Sequence, residues 1–210
     1  MIRVDYHFHP NLPLYSPRLT KKKTAAIWKA FAQHALDVVI VTEHSYKKPQ
    51  ESYTSLLAAQ PKGHQTKLVP GVEVLVGNGI DLLVFSQDTY IFQQLEKIKK
   101  AAKNLDTLLA LIKSDKKLHM ILPHPYVPDK TAISWHFDSQ TVVSYMKKIG
   151  MVEKYNASML MPEIILRKLR IYKLLKKIYL KMSLSISLPT HYIPKDVIIT
   201  GGSDAHYPWS

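Results

Sequence analysis

The sequence predicts a single α/β domain closed around a mostly parallel barrel. Three observations predict it. Strand-like and helix-like patterns alternate along almost the whole chain, the strand segments are apolar runs of the kind buried on both faces, and seven of them occur within 210 residues.

The elements follow in order. "IRVDYHF" reads as the first strand, and "TKKKTAAIWKAFAQHAL" carries Ile27, Phe31 and Ala35 at helical spacing. "DVVIVTEH" is a short buried-type strand, and the helix "QESYTSLLAAQ" is stopped by Pro61 and Gly63. "KLVPGVEVLV" and "IDLLVFS" are strands separated by "GNG", a hairpin-type turn signal. A long helical region runs from Ile91 to Ile112, with a break expected near Asn104–Asp106, where a new N-cap can sit. "KLHMIL" is a strand that ends in "PHPYVP". It is followed by the helix "SQTVVSYMKKI", the strand "GMVEKYN", a helix over 162–183 and the strand "DVIIT". The chain stops four residues after His206 without a closing helix, the pattern of a barrel truncated at its C-terminus.

Composition narrows the chemistry. Cysteine is absent, so a metal must be held by imidazole nitrogen and carboxylate oxygen, and a reducing, cytoplasmic location is expected. Arg3, Asp5, His7 and His9 interrupt the start where a secretory apolar core would lie. No apolar run reaches the ~18 residues of a transmembrane helix. The net charge of +13 favours anionic partners, a phosphorylated substrate or nucleic acid, and reads equally as a solvated lysine-rich surface.

The polar residues inside the strands carry the functional reading. Asp5, His7 and His9 alternate, so they share one face of a strand and the two imidazoles stand side by side as a chelating pair needs. Asp5 is placed to orient a histidine by accepting its other N–H. Glu43 and His44 close the second strand, Glu73 interrupts an apolar strand, and His124, Asp204 and His206 lie just past strand ends. In a parallel barrel those ends converge on the face where active sites are built. His34, His64, His119, His136 and His191 fit surface or packing roles instead.

Together these segments resemble the PHP (polymerase and histidinol phosphatase) superfamily. The likeness rests on D-x-H-x-H at Asp5, His7 and His9, "TEH" at His44, "GVEV" at Glu73, "PHP" at His124, "VEKYN" around Glu153 and Asn156, and "GGSDAH" at Asp204 and His206. The resemblance implies a distorted (β/α)7 TIM-like barrel spanning 1–210, two or three divalent ions (Zn, Mn or Fe), and hydrolysis of phosphoesters. It implies that His7, His9, Glu73 and Asp204 hold one ion, that Glu73 bridges to a second taking His124, and that His44 and His206 hold a third. Two positions depart from the family pattern. Leu14 and Tyr15 stand where a further ligand is common, and Asp81 stands where a histidine is common. Asp81 reads equally as a carboxylate ligand and as a solvent-facing strand residue.

The expected chemistry is attack by a metal-activated water. His206 serves as ligand or as the acid protonating the leaving oxygen, and Asp204 joins it as a catalytic residue. Glu153 orients ligands or marks a charged strand edge, and Asn156 caps a helix or bonds a loop. "TKKKT" reads as a loop near the site, because cations are disfavoured at a helix N-terminus. The 162–183 helix carries Arg167, Arg170, Lys173, Lys177 and Lys181 as a stripe, either solvated or tracking nucleic-acid phosphates. Both a nucleotide or oligonucleotide and a small phosphomonoester remain open as substrates. The alternative is a non-catalytic metal-binding or nucleic-acid-binding module.

Overall fold

The computed structural model describes residues 1–12, 16–77, 79–127, 130–156 and 193–205. The expected 162–183 helix with its basic stripe, His191, Leu14, Tyr15 and His206 lie outside the described residues.

Strands β1 (Val4–Phe8), β2 (Val38–Val41), β3 (Lys67–Val76), β4 (Ile80–Phe85) and β5 (His119–Ile121) form one sheet in that order. Strands β6 (Met151–Asn156) and β7 (Ile198–Gly202) form a separate parallel pair. This corrects the expected (β/α)7 TIM-like barrel: the fold is a mixed five-stranded half-barrel beside a two-stranded sheet. β1, β2 and β3 run parallel, but β4 is antiparallel to both β3 and β5. The cause is local. Gly77 and Gly79 adopt φ of 44° and 106°, and the chain turns straight back from Val76 to Ile80. A parallel return needs a crossover of roughly a dozen residues or more, which this connection lacks. The two sheets meet through single bridges rather than ladders, Phe8 with Ala205 and Leu122 with Val152.

The helices are α1 (Pro17–Gln33), α2 (Pro49–Ala58), α3 (Tyr90–Gln93), α4 (Leu95–Ala101), α5 (Leu105–Ser114) and α6 (Ser139–Ile149). Ser16 caps α1 and Pro17 opens it, a residue pair suited to a helix start. "TKKKT" therefore lies within α1 rather than in a loop by the site, and Lys23 is buried. The break expected near Asn104 is real: its side chain accepts the Thr107 N–H at 3.0 Å and starts α5. Asp138 caps α6, which ends at Gly150 with φ 84°.

Alternation along the strands sorts two apolar sets. Val39, Val41, Val72, Val74, Leu82 and Val84 pack with the helices, around Trp28, Leu56, Ile91, Ile98 and Leu108. Ile40, Leu83 and Ile121 form a small cluster on the opposite face. Leu83 pairs with Glu73 in the ladder, so that face also carries the candidate site. Among the described residues, no helix is long and apolar enough to cross a membrane.

Candidate metal centre

β1, β2, β3 and the turns after β5 and β7 bring His7, His9, His44, Glu73, His124 and Asp204 together. Glu73 is the hub. Its Oε1 lies 3.2 Å from His7 Nε2 and 3.8 Å from His124 Nε2, and its Oε2 lies 2.7 Å from His44 Nδ1 and 3.4 Å from His9 Nε2. Asp204 Oδ1 is 3.6 Å from His7 Nε2 and 3.5 Å from His9 Nε2. Three groups have donor atoms close enough to share an ion: His7, Glu73 and His124; His7, His9 and Asp204; and His9, Glu43 and His44. His206 is outside the described residues.

The donor set fits divalent cations. Ligand atoms ~2.1 Å from one ion and separated by 90–109° stand about 3.0–3.4 Å apart. The contacts among His7, His9, Glu73 and Asp204, from 2.9 to 3.6 Å, span that range. The two imidazoles are the sharpest case, with His7 Nε2 2.9 Å from His9 Nε2. Each ring turns its Nδ1 toward a carboxylate, His7 to Glu153 at 3.3 Å and His9 to Glu43 at 3.9 Å. If both Nδ1 atoms carry a proton, both Nε2 lone pairs aim into the same small space, and a proton or a metal cation between them relieves the repulsion. His7, His9, Glu43 and Glu153 are all essentially buried, where uncompensated charge is expensive.

The electrostatics agree. Burial opposes the ionised form of Glu73, but His9, His124, His44 and His7 outweigh it and hold its pKa well below the usual carboxylate value. Burial opposes charge on His7 too, yet Glu153 and Glu73 keep its pKa well above the ordinary imidazole value. Asp81 differs: dehydration, then the negative charge of Glu73, raise it to about 7. Its Oδ2 lies 3.9 Å from His124 Nε2, so Asp81 stands at the margin of the cluster rather than in open solvent.

Two expected roles change hands. Asp5 does not accept a ring N–H. Its Oδ1 accepts the backbone N–H groups of His7 at 3.1 Å and Ser203 at 2.9 Å, tying β1 to the turn after β7. Glu153 faces the ring instead, and its Oε2 also accepts the His124 N–H at 3.0 Å and an Asn156 amide N–H at 3.1 Å. The amide of Asn156 also donates to Asp204 Oδ2 at 3.1 Å, in the turn after β7, and the helix it was expected to cap lies outside the described residues. Glu43 gained no separate role from sequence beyond its place in "TEH". It accepts the N–H groups of Asn11 and His44 and the Ser52 hydroxyl, which aims it at His9. Its signal was a carboxylate at the end of an apolar strand.

Among the described residues, the remaining histidines stay apart. His64 bonds the Trp28 carbonyl and packs edge-on against that ring, His119 packs on Phe85, and His136 bonds the Lys130 carbonyl. His124 and Asp204 adopt φ of 28° and 47°, left-handed values that are strained for non-glycine residues and cluster at functional sites.

No family model and no curated protein matches the chain. Among solved structures, PsfC from Pseudomonas syringae PB-5123 is similar with a TM-score of 0.61 at 20% identity, over 99% of this chain and 78% of that one. A "putative metal-dependent phosphoesterase" from Bifidobacterium adolescentis gives a TM-score of 0.45 at 11% identity, over 100% and 89% of the two chains. The likeness to PsfC shows a shared fold.

Proposed function

We propose that this chain is a PHP-type metal-dependent phosphoesterase, with residues 1–210 forming one domain. The observation that carries the reading is the Glu73 carboxylate flanked by His7, His9, His44 and His124 within 3.8 Å, a bridging position with no apolar explanation. His7, His9, Glu73 and Asp204 would hold one ion, His124 would join Glu73 on a second, and His44 would serve a third with His206. Zn, Mn and Fe suit this mixture of imidazole and carboxylate. When bound, such ions supply an activated water and draw electron density from the phosphoryl oxygens.

The chain's own residues do the rest. Glu153 and Glu43 fix the ring tautomers of His7 and His9 so that Nε2 of each faces the cluster. Asn156 holds Asp204 by its second oxygen, leaving Oδ1 toward the two histidines. Glu73 keeps its negative charge at neutral pH, so it would anchor the cations, whose charge would favour a phosphate dianion there. His206 is assigned the proton delivered to the leaving oxygen, or a place as ligand.

The test is metal content per chain by elemental analysis, followed by hydrolysis of model phosphoesters by wild type, His7→Ala and Asp204→Ala. The reading expects two or three ions and turnover only in wild type. Equal residual rates in all three proteins defeat the hydrolase assignment, and bound metal without turnover identifies a non-catalytic module.

A further inference from the structure

Three rings lead outward from the donor cluster. His9 stacks on His44 with centroids 4.4 Å apart at 28°, and His44 stacks on Tyr46 at 5.0 Å and 17°. Burial falls along the same line: the side chain of His9 is enclosed, that of His44 is 17% exposed, and Tyr46 is 68% exposed. Asp204, another member of the cluster, is likewise 17% exposed, so the cluster reaches the surface, and Tyr46 is its exposed neighbour through His44. Its phenol end feels the cluster: partial burial, then the negative charges of Glu73, Asp81 and Glu43, raise its pKa. Lys47 flanks the ring at 5.6 Å, its ammonium held by a 3.1 Å hydrogen bond to Asn11 Oδ1.

An exposed aromatic gains nothing from burial in the free protein. This one is nevertheless oriented, because His44 supports one face and His44 is itself aligned by Glu73. A flat, braced ring next to the candidate metal cluster is suited to stacking on another flat ring. We propose that Tyr46 is a stacking plate which selects phosphate esters whose alcohol part carries a planar ring. This rests on the phosphoesterase reading and adds the class of leaving group.

The test compares phenyl phosphate with glycerol phosphate for metal-loaded wild type, Tyr46→Phe and Tyr46→Leu, with rates normalised to bound metal. Tyr46→Leu is expected to lower kcat/KM for phenyl phosphate by about 5- to 100-fold, mainly through KM, and to leave glycerol phosphate within about twofold. Tyr46→Phe keeps the ring preference. Equal losses on both esters, or no change on either, overturn the plate. Binding of phenylphosphonate against methylphosphonate, followed by calorimetry, reads the same preference without turnover. Ring-selective binding by wild type that weakens in Tyr46→Leu, with neither ester hydrolysed, overturns the hydrolase reading and keeps the plate. Wild type that binds both phosphonates equally, or neither, overturns the plate.

Discussion

Replacing Glu153 by Gln separates orientation of a ligand from mere packing. The carboxylate is 1% exposed, faces His7 Nδ1 at 3.3 and 3.4 Å, and takes N–H groups from His124 and Asn156. Gln has nearly the same shape but only one acceptor oxygen, so its amide N–H must point at a donor: the His124 N–H, the Asn156 amide or the His7 ring. One buried mismatch of this kind costs about 1–3 kcal/mol. For a chain of this length that lowers Tm by roughly 2–12 °C. Loss of the partner behind a ligating histidine also weakens metal binding about 10- to 100-fold, or ~1.4–2.7 kcal/mol. The assay is a competitive metal titration against a chromophoric chelator, with thermal melts of metal-free protein alongside. Asp5→Asn is the control, because Asp5 Oδ1 takes the backbone N–H groups of His7 and Ser203 rather than a ring N–H: it should lower Tm while leaving metal affinity near wild type. Unchanged affinity in Glu153→Gln, or equal weakening by both variants, refutes the orienting role.

Other outcomes follow from the same geometry. A methyl group at Gly202 would run into the Glu153 carboxylate and the Cβ and backbone of His7. Gly202→Ala should therefore cost about 1–3 kcal/mol in melts and lower the metal count per chain; full metal content contradicts so close an approach. Removing metal should lower Tm, since a ligand at 100 times its Kd contributes about 2.7 kcal/mol, or roughly 5–11 °C at this size; identical melts with and without chelator oppose the site. Lys23 is pulled down to about 8 by burial, with Lys47 pushing the same way and Glu43 resisting. Between pH 8 and about 10.5 the unfolded chain binds the proton that the folded one has released, so wild-type stability should rise across that window. Lys23→Met should melt higher than wild type near neutral pH and lose the advantage by about pH 10.5; a constant difference at all pH values refutes this.

Much of the site is visible in one dimension because burial and facing are local properties. His7 and His9 share a strand face by alternation, and Glu73 stands out because nothing else in β3 between Leu68 and Val76 is charged. The fold was less legible. Seven strand-like segments suggested uniform closure, but the number of strands does not set their direction. The glycines of "GNG" did carry that information, and the antiparallel β3–β4 pair follows from them. Asp5 shows another limit. Its spacing suggested a ring partner, but the ladder between β1 and β2 is irregular between Asp5 and Phe8, and the carboxylate meets backbone amides instead. The pairing of Glu153 with His7 joins residues far apart in the chain, and no local pattern encodes it.

The junction of β1 with the turn after β7 bears on biosynthesis. Asp204 N–H bonds the His7 carbonyl at 2.7 Å, and His9 N–H bonds the Ala205 carbonyl at 3.1 Å. A ribosome must deliver nearly two hundred residues before the first strand meets these partners, and closing so long a loop is slow. The emerging polypeptide thus exposes its histidine pair to the cell's ion pool before Asp204 arrives. The full set of candidate donors, Asp204 included, is therefore assembled only late in maturation.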